Sequence, residues 1–295
     1  MSEASGASEP TASDLAADTA VAPVGGVPGL YAARVPDRWD FRGPSGGVLT
    51  SVALRAAAAE LDDPGLRPLS STTVFCAPIP EGPLGIQVEV LRRGGAVAQV
   101  RAQLSHAAHP GPGLELLATF ARAREGIELQ GASFPDVPPP ADAEPLAADL
   151  PGNPHTHYRF FANFEVRAGE GPSWWRPGWQ AGPARHARWW RYRVAQRLAD
   201  GRLDPLALPP LCDTMPPAFI AAAGPRPDRF RAPSLDLTIH FLDAAATDWI
   251  LVRSFGRRAT AGYASADVEL WTEDRRLLAY GTQTMMLRRG ITANG

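Results

Sequence analysis

The sequence predicts an α+β protein built from two similar halves, and three observations support this prediction. The chain has 295 residues, 45% of them hydrophobic, which is enough for two domains with proper cores. Each half contains one strand, one helix and then four strands, which differs from the strict alternation of a parallel α/β sheet. A segment rich in Pro, Ala and Asp separates the halves at residues 125–156 and is expected to be an extended linker.

The first half follows a segment with almost no large apolar side chains. Residues 1–26 cannot bury enough surface to offset the entropy lost on ordering, so we expect a disordered tail. A strand is expected at 29–35, with 39–41 continuing it, and Gly46 and Gly47 then open a helix that ends near Leu61. Four strands complete this domain, which we assign to residues 27–124; they are predicted at 70–78, 84–92, 96–105 and 114–122.

The second half, assigned to residues 157–290, repeats this order. A strand at 158–166 and a stretch rich in Trp and Arg lead into a helical region at 204–223. The last four strands are predicted at 234–242, 249–255, 260–272 and 276–288.

The most informative segment is the strand 234–241, in which apolar and polar residues alternate strictly. Its apolar residues are expected on one face, and Ser234 and Asp236 on the other. Asp213 precedes this strand in the helical region, and Gln283 follows it in the last strand. A strand with one apolar face and one hydroxyl- and carboxylate-bearing face is typical of the wall of a site or of a solvated sheet surface.

These residues resemble the TesB-like double hot-dog acyl-CoA thioesterase family over about residues 29–288. The resemblance is carried by Phe164-Glu-Val-Arg167, Arg188-Trp-Trp-Arg-Tyr-Arg193, Asp213-Thr-Met-Pro-Pro-Ala218, Ser234-Leu-Asp-Leu-Thr-Ile-His-Phe241 and Gln283. It implies two tandem hot-dog repeats, each with a central helix wrapped by an antiparallel sheet. It also implies hydrolysis of a fatty acyl-CoA to the free acid and CoA.

The resemblance assigns the catalytic roles to three side chains. Asp213 would orient or deprotonate a water molecule, while Ser234 and Gln283 would hydrogen-bond that water or the developing oxyanion. A thioester is already activated, so a well-placed water is a sufficient nucleophile.

Four further residues are expected to bind substrate. Gly46 and Gly47 would allow a ligand carbonyl, or another backbone, to approach the start of the first helix. Asp236 lies on the polar face of the informative strand, and Met285 is expected to line a tunnel for the acyl chain.

Two departures from the family pattern affect these assignments. Ser234 stands where Thr is usual, which keeps the hydroxyl but loses the methyl group that stiffens its rotamer. Pro209 and Pro210 fall inside the helix that should present Asp213, so that helix either starts at the proline pair or kinks there. A kink would displace Asp213.

Composition narrows the classes of partner. A net charge of −2 offers no electrostatic footprint for nucleic acid or for an anionic membrane surface, and no apolar run is long enough for a membrane span. The two cysteines, in apolar company, and the absence of basic residues before Arg34 indicate a cytoplasmic protein without a leader. Acyl-CoA is the expected partner, no metal or redox cofactor is implied, and homodimer formation stays open.

Other functions compete with hydrolysis. A non-catalytic protein that binds acyl-CoA or acyl-carrier protein could use the same fold. A hot-dog dehydratase would need an Asp/His pair, but Asp236 and His240 are about 13 Å apart along a strand. The Gly-x-Ser-x-Gly pattern at 43–47 is typical of a serine hydrolase, although the following residues lack the alternating elements of that fold. The stretch 174–191, with five tryptophans among arginines, could stack adenine or simply pack as a strand and loop.

Overall fold

A twelve-stranded antiparallel sheet dominates the computed structural model, which describes residues 13–109, 111–146, 153–225 and 230–289. Its strand order is β1-β2-β4-β5-β6-β3-β10-β13-β12-β11-β8-β7, and β9 and β14 form a separate pair. The strands are β1 (Ala22–Pro23), β2 (Leu30–Val35), β3 (Arg67–Phe75), β4 (Gly82–Arg93), β5 (Val97–His106), β6 (Leu114–Ala121), β7 (Phe164–Ala168), β8 (Arg185–Tyr192), β9 (Phe230–Arg231), β10 (Asp236–Phe241), β11 (Trp249–Thr260), β12 (Tyr263–Thr272), β13 (Leu277–Met286) and β14 (Arg288–Arg289).

The helices are short apart from α2. They are α1 (Leu15–Asp18), α2 (Gly46–Leu61), α3 (Pro154–His157), α4 (Pro209–Cys212) and α5 (Pro216–Ala223), with 3-10 turns at Asp37–Trp39, Arg159–Asn163 and Pro205–Ala207. None of the helices within the described ranges is long and apolar enough to cross a membrane.

The two halves of the chain meet in the middle of the sheet, where β3 pairs with β10. Thr72 lies opposite Thr238, and the two hydroxyl groups are 3.0 Å apart on the exposed face. The helices α2, α4 and α5 pack against the other face, which we call the inner face. Its inward-pointing side chains, such as Leu237 and Ile239, are fully buried, so the main core lies between this face and the helices.

Helix α2 is buried on nearly all sides because it packs against both the sheet and α4. Val48, Val52 and Leu54 have no exposed surface. The sequence Gly-Gly at its start allows a very close approach: a Cβ at Gly47 would lie 2.3 Å from the carbonyl oxygen of Pro209. Of the two expectations for Gly47, the structure therefore shows the approach of another backbone.

The helical region of the second half differs from a single long helix. It divides into the 3-10 turn at Pro205–Ala207, α4 and α5, and each of the three segments begins at a proline. Proline is tolerated in the first turn of a helix, where its missing N–H costs no hydrogen bond, but it breaks a helix interior. The pair Pro209-Pro210 thus starts α4.

Parts of the predicted tail and linker are structured. Leu15 in α1 is fully buried, and the Asp18 carboxylate accepts hydrogen bonds from Arg38 and from Trp39 Nε1. In the linker, Trp189 Nε1 donates to the Pro138 carbonyl, and the side chain of Gln130 bonds to the backbone at 275–277. The expected disorder is therefore wrong for residues 13–26; residues 1–12 and 147–152 lie outside the described residues.

Two predicted strands are 3-10 turns for part of their length. Residues 37–39 form a turn that takes in the first residue of the stretch 39–41, which was expected to be extended, and Asp40 then forms an isolated bridge with Pro44. Residues 159–163 form another turn before β7 begins at Phe164. Both segments are rich in aromatic residues that pack together: Phe41 stacks on Phe160 with ring centroids 4.3 Å apart. Their apolar content reflects this cluster and not strand pairing.

Candidate functional site

Asp213 occupies the C-terminal end of α4 and points towards the start of α2. Its backbone N–H donates to the Pro209 carbonyl at 3.1 Å, which closes the single turn that the proline pair begins. The Gly47 N–H donates to Asp213 Oδ2 at 2.9 Å. Asp213 therefore caps α2, which belongs to the other half of the chain, and its side chain is fixed by that contact.

Ser234 reaches Asp213 because the β10–β13 ladder shifts by one residue. Thr238 pairs with Thr282, but Ser234 pairs with Met285, so the β10 side holds one extra residue. Such a bulge reverses the direction of the side chains beyond it. The Ser234 hydroxyl lies on the inner face and donates to Asp213 Oδ1 at 2.9 Å.

The expectation that Ser234 and Asp236 share a face is therefore wrong. Asp236 lies on the outer face of the sheet, opposite the half-exposed Val74. Its Oδ1 accepts the backbone N–H of Thr284 at 2.9 Å, which replaces the ladder hydrogen bond lost at the bulge. The structure does not bring Asp236 together with Asp213.

Gln283 completes the group from β13, the neighbour of β10 in the sheet. Its side chain points to the inner face and is only 2% exposed. The Nε2 group donates to Asp213 Oδ1 at 2.6 Å and to Ser234 Oγ at 2.8 Å. Gln283 Oε1 is buried without a hydrogen-bond partner among the described residues.

The electrostatics of Asp213 are set by two opposing effects. Burial raises the pKa of this carboxyl above its usual range, while the hydrogen bonds from Gln283, Ser234 and the Gly47 amide act in the opposite direction. A carboxylate offers about four acceptor positions, of which three are used here. Asp213 as a residue is only partly buried, and its ionised form has acceptor capacity left for one further donor, such as a water molecule.

The remaining predicted residues lie at different distances from this group. Gly46 is in contact with it, because a Cβ at this position would be 3.0 Å from Asp213 Oδ2. Met285 is fully buried in the core on the same face of β13 as Gln283. Asp236 instead lines a groove of about 300 Å³ on the outer face, together with Arg257 and Tyr280.

Two further residues lie near Asp213: Phe75, which carries no sequence signal that would have singled it out, and Ser45, the serine of the Gly-x-Ser-x-Gly pattern. The ring of Phe75, the last residue of β3, and the Asp213 carboxylate both lie within 3.0 Å of the position that a Cβ at Gly46 would occupy. Ser45, just before α2, is 3% exposed, and its hydroxyl has no partner within the described part of the chain. The Ser45 hydroxyl does not cap α2, since Asp213 bonds to the Gly47 amide instead. Both positions depend on long-range packing.

The aromatic and basic stretch 174–191 packs as a strand and loop, which is the simpler of the two expectations. Trp189 and Trp190 in β8 are nearly fully buried on opposite faces of the sheet. The Arg188 guanidinium is also buried and donates to backbone carbonyls of the 170–172 segment. These two tryptophan rings are not available to stack an adenine base.

Comparisons with known proteins agree with this architecture. Residues 35–121 match the family described as the acyl-CoA thioesterase N-terminal domain, and residues 135–287 match the acyl-CoA thioesterase C-terminal domain. No curated protein matches the chain.

Several solved structures resemble the whole chain. A conserved protein of unknown function with a hot-dog fold from Alicyclobacillus acidocaldarius is 24% identical, with a TM-score of 0.77 over 94% of this chain and 98% of that one. A candidate thioesterase from Novosphingobium aromaticivorans is 26% identical, with a TM-score of 0.70 over 89% and 97%. The acyl-CoA thioesterase II TesB2 of Mycobacterium marinum is 23% identical, with a TM-score of 0.71 over 94% and 99%. These likenesses show the hot-dog fold.

Proposed function

Since the chain belongs to the acyl-CoA thioesterase family, we propose that it hydrolyses a fatty acyl-CoA to the free acid and CoA. The observation that carries this proposal is the convergence of three side chains from three elements. Asp213, Ser234 and Gln283 lie within 2.6–2.9 Å of one another and combine a carboxylate, a hydroxyl and an amide. Such a group can hold one water molecule on a line of attack.

The proposed reaction needs no covalent intermediate with the protein. Ionised Asp213 takes a proton from the bound water as the water oxygen attacks the thioester carbon. The carbonyl oxygen becomes an oxyanion, which amides at the positive end of α2 and neutral donors nearby would stabilise. Collapse of the tetrahedral intermediate breaks the C–S bond, and the proton passes from Asp213 to the CoA sulfur or to solvent.

In this proposal Gln283 and Ser234 act mainly by fixing geometry. The Gln283 amide bonds to both partners, so it holds the carboxylate and the hydroxyl in one arrangement. Its unpartnered Oε1 would accept a hydrogen bond from the attacking water. Gly46 and Met285 would form the adjoining wall against which the thioester and the start of the acyl chain lie, while Gly47 contributes its amide to Asp213.

We further propose that the two halves are hot-dog repeats, residues 27–124 and 157–290, with 125–156 as the connection. The order of strands outward from the central pair is β3-β6-β5-β4-β2 on one side and β10-β13-β12-β11-β8 on the other. The strand at each position of the first series corresponds to the strand at the same position of the second series, from β3 and β10 at the centre to β2 and β8 further out. Helix α2 would be the central helix of the first repeat, and α4 with α5 its broken counterpart.

The experiment that tests this function is CoA release from a series of acyl-CoAs of increasing chain length, from acetyl- to stearoyl-CoA. We expect turnover with a chain-length optimum. A single turnover in heavy-oxygen water should place one labelled oxygen in the acid and none in the protein, because the water attacks the thioester carbon directly. Tight binding of an acyl-CoA without CoA release would favour the alternative of a non-catalytic binding protein.

A further inference from the structure

Phe75 lies at the boundary between the two halves, against the start of α2. Its ring touches Gly46 so closely that a Cβ there would be 2.8 Å from Cζ and 2.9 Å from Cε1. The same Cβ position is 3.0 Å from Asp213 Oδ2. The ring and the carboxylate therefore both crowd the position of a side chain at residue 46, where only glycine fits.

The backbone at Phe75 is held from both sides of its strand. The Phe75 N–H donates to the Leu235 carbonyl at 2.9 Å, next to the bulge that turns Ser234 inwards. The following residue, Cys76, donates its N–H to Gly113 at 2.9 Å on the β6 side. Phe75 is partly buried and packs against the main core, so part of its side chain stays exposed to solvent.

Few charged groups surround Asp213. The neighbouring Cys212 thiol is fully buried, and burial raises its pKa, which keeps it neutral. Arg55 of α2 is paired with Asp204, which precedes α4, at 2.7 Å. Asp236 of β10 faces the opposite side of the sheet. The surroundings of the carboxylate are thus set by neutral hydrogen bonds and by apolar cover.

We propose that Phe75 is a positioning residue that covers the solvent side of the Asp213 site and excludes bulk water from the carboxylate. A desolvated carboxylate is a stronger base towards the single water it holds, and unplaced waters cannot compete for it. The residue thereby adds a second contribution of the N-terminal half to the reacting centre, beside the Gly47 amide. The effect of Phe75 on catalysis rests on the proposed function, whereas the exclusion of water does not.

The test measures the free energy of unfolding from acid to neutral pH for the parent protein and for Asp213→Asn. The same pair is then measured in a background that carries Phe75→Ala. With Phe75 present, the Asn variant should gain stability relative to the parent as pH rises, because it removes a desolvated charge. In the Phe75→Ala background water reaches the carboxylate, so this relative gain should shrink by about twofold or more. The rising limb of kcat/KM for acyl-CoA should move to lower pH.

Matched variants separate this effect from general loosening of the strand. Phe75→Leu keeps an apolar cover and should resemble the parent, as should Val74→Ala, which alters the adjacent residue on the outer face. If Phe75→Ala does not fold, Phe75→Val still uncovers one side, and the same shrinkage is expected. An unchanged stability gain in the folded Phe75 variants would overturn the inference. A parent protein without thioesterase activity would overturn the proposed function alone, since the stability comparison still decides the role of Phe75.

Discussion

Ser234 pairs with Met285, one residue out of the register that joins Thr238 to Thr282. This single shift places the Ser234 hydroxyl on the inner face, 2.9 Å from Asp213 and 2.8 Å from Gln283. In a regular ladder the hydroxyl would point away from both. The bulge is therefore the feature of the backbone on which the assembly of the site depends.

Replacement of Ser234 should separate the role of its hydroxyl from that of its size. Ser234→Ala removes one hydrogen bond to the carboxylate and one acceptor for Gln283, so kcat/KM should fall about tenfold or more. Ser234→Thr keeps the hydroxyl and should retain most of the activity. Equal losses in the two variants would show that packing, and not the hydroxyl, matters at this position.

Asp236 should behave as a structural residue. Its carboxylate accepts the Thr284 N–H beside the bulge, so Asp236→Ala should lower the free energy of unfolding by about 1–2 kcal/mol. Asp236→Asn keeps an acceptor oxygen and should be close to the parent in denaturant titrations. A raised KM in a fully stable Asp236→Asn protein would instead support the sequence-based expectation that Asp236 binds substrate.

Gly47 is expected to tolerate no side chain. A Cβ there would meet the Pro209 carbonyl oxygen at 2.3 Å, so Gly47→Ala should force α2 and α4 apart and cost about 2 kcal/mol of stability. The shift would also break the contact between the Gly47 amide and Asp213, and activity should fall with stability. Gly95→Ala is the control, because a Cβ there meets no atom within 4 Å. A stable, active Gly47→Ala protein would contradict the packing described here.

The raised pKa of Asp213 predicts opposite trends for stability and activity. A carboxyl with a raised pKa in the folded state contributes stability below its ordinary value of 3.8, and this contribution is lost as pH rises through the folded-state pKa. Hydrolysis requires the ionised form, so kcat/KM should rise with pH, with a midpoint above that ordinary value. Denaturant titrations and rate measurements over one pH series check both trends. A rising limb centred at or below the ordinary value would contradict the dominance of burial.

Much of the fold could be predicted from local patterns in the sequence. Strands β4, β5, β6 and β11 coincide in large part with predicted runs, because alternation and glycine-rich turns are local signals. The proline pair at 209–210 also allowed the start of α4 at that pair to be predicted as one of two outcomes. The complete division of the helical region was not predicted, since it depends on how the three short segments pack.

The candidate site could be predicted in part. Asp213, Ser234 and Gln283 were grouped by family resemblance, and the structure brings them together. The face of Ser234 was predicted wrongly, because strict alternation assumes a regular ladder and a bulge has no signature in this sequence, whereas Asp236 lies on the outer face with Thr238 as alternation predicts. The contact of Phe75 with Gly46 and the burial of Leu15 arise between residues distant in the sequence, for which periodicity gives no information.

The most direct test of the central claim is kcat/KM for CoA release by the parent protein and by Asp213→Asn, with unfolding measured in parallel. Asn preserves the shape of the side chain but cannot take a proton from water, so we predict a fall of about 100-fold or more in a protein at least as stable as the parent. Gln283→Ala, which frees the carboxylate from its amide partner, should fall comparably. An Asp213→Asn protein that is folded and retains activity within about threefold of the parent would contradict water activation by Asp213.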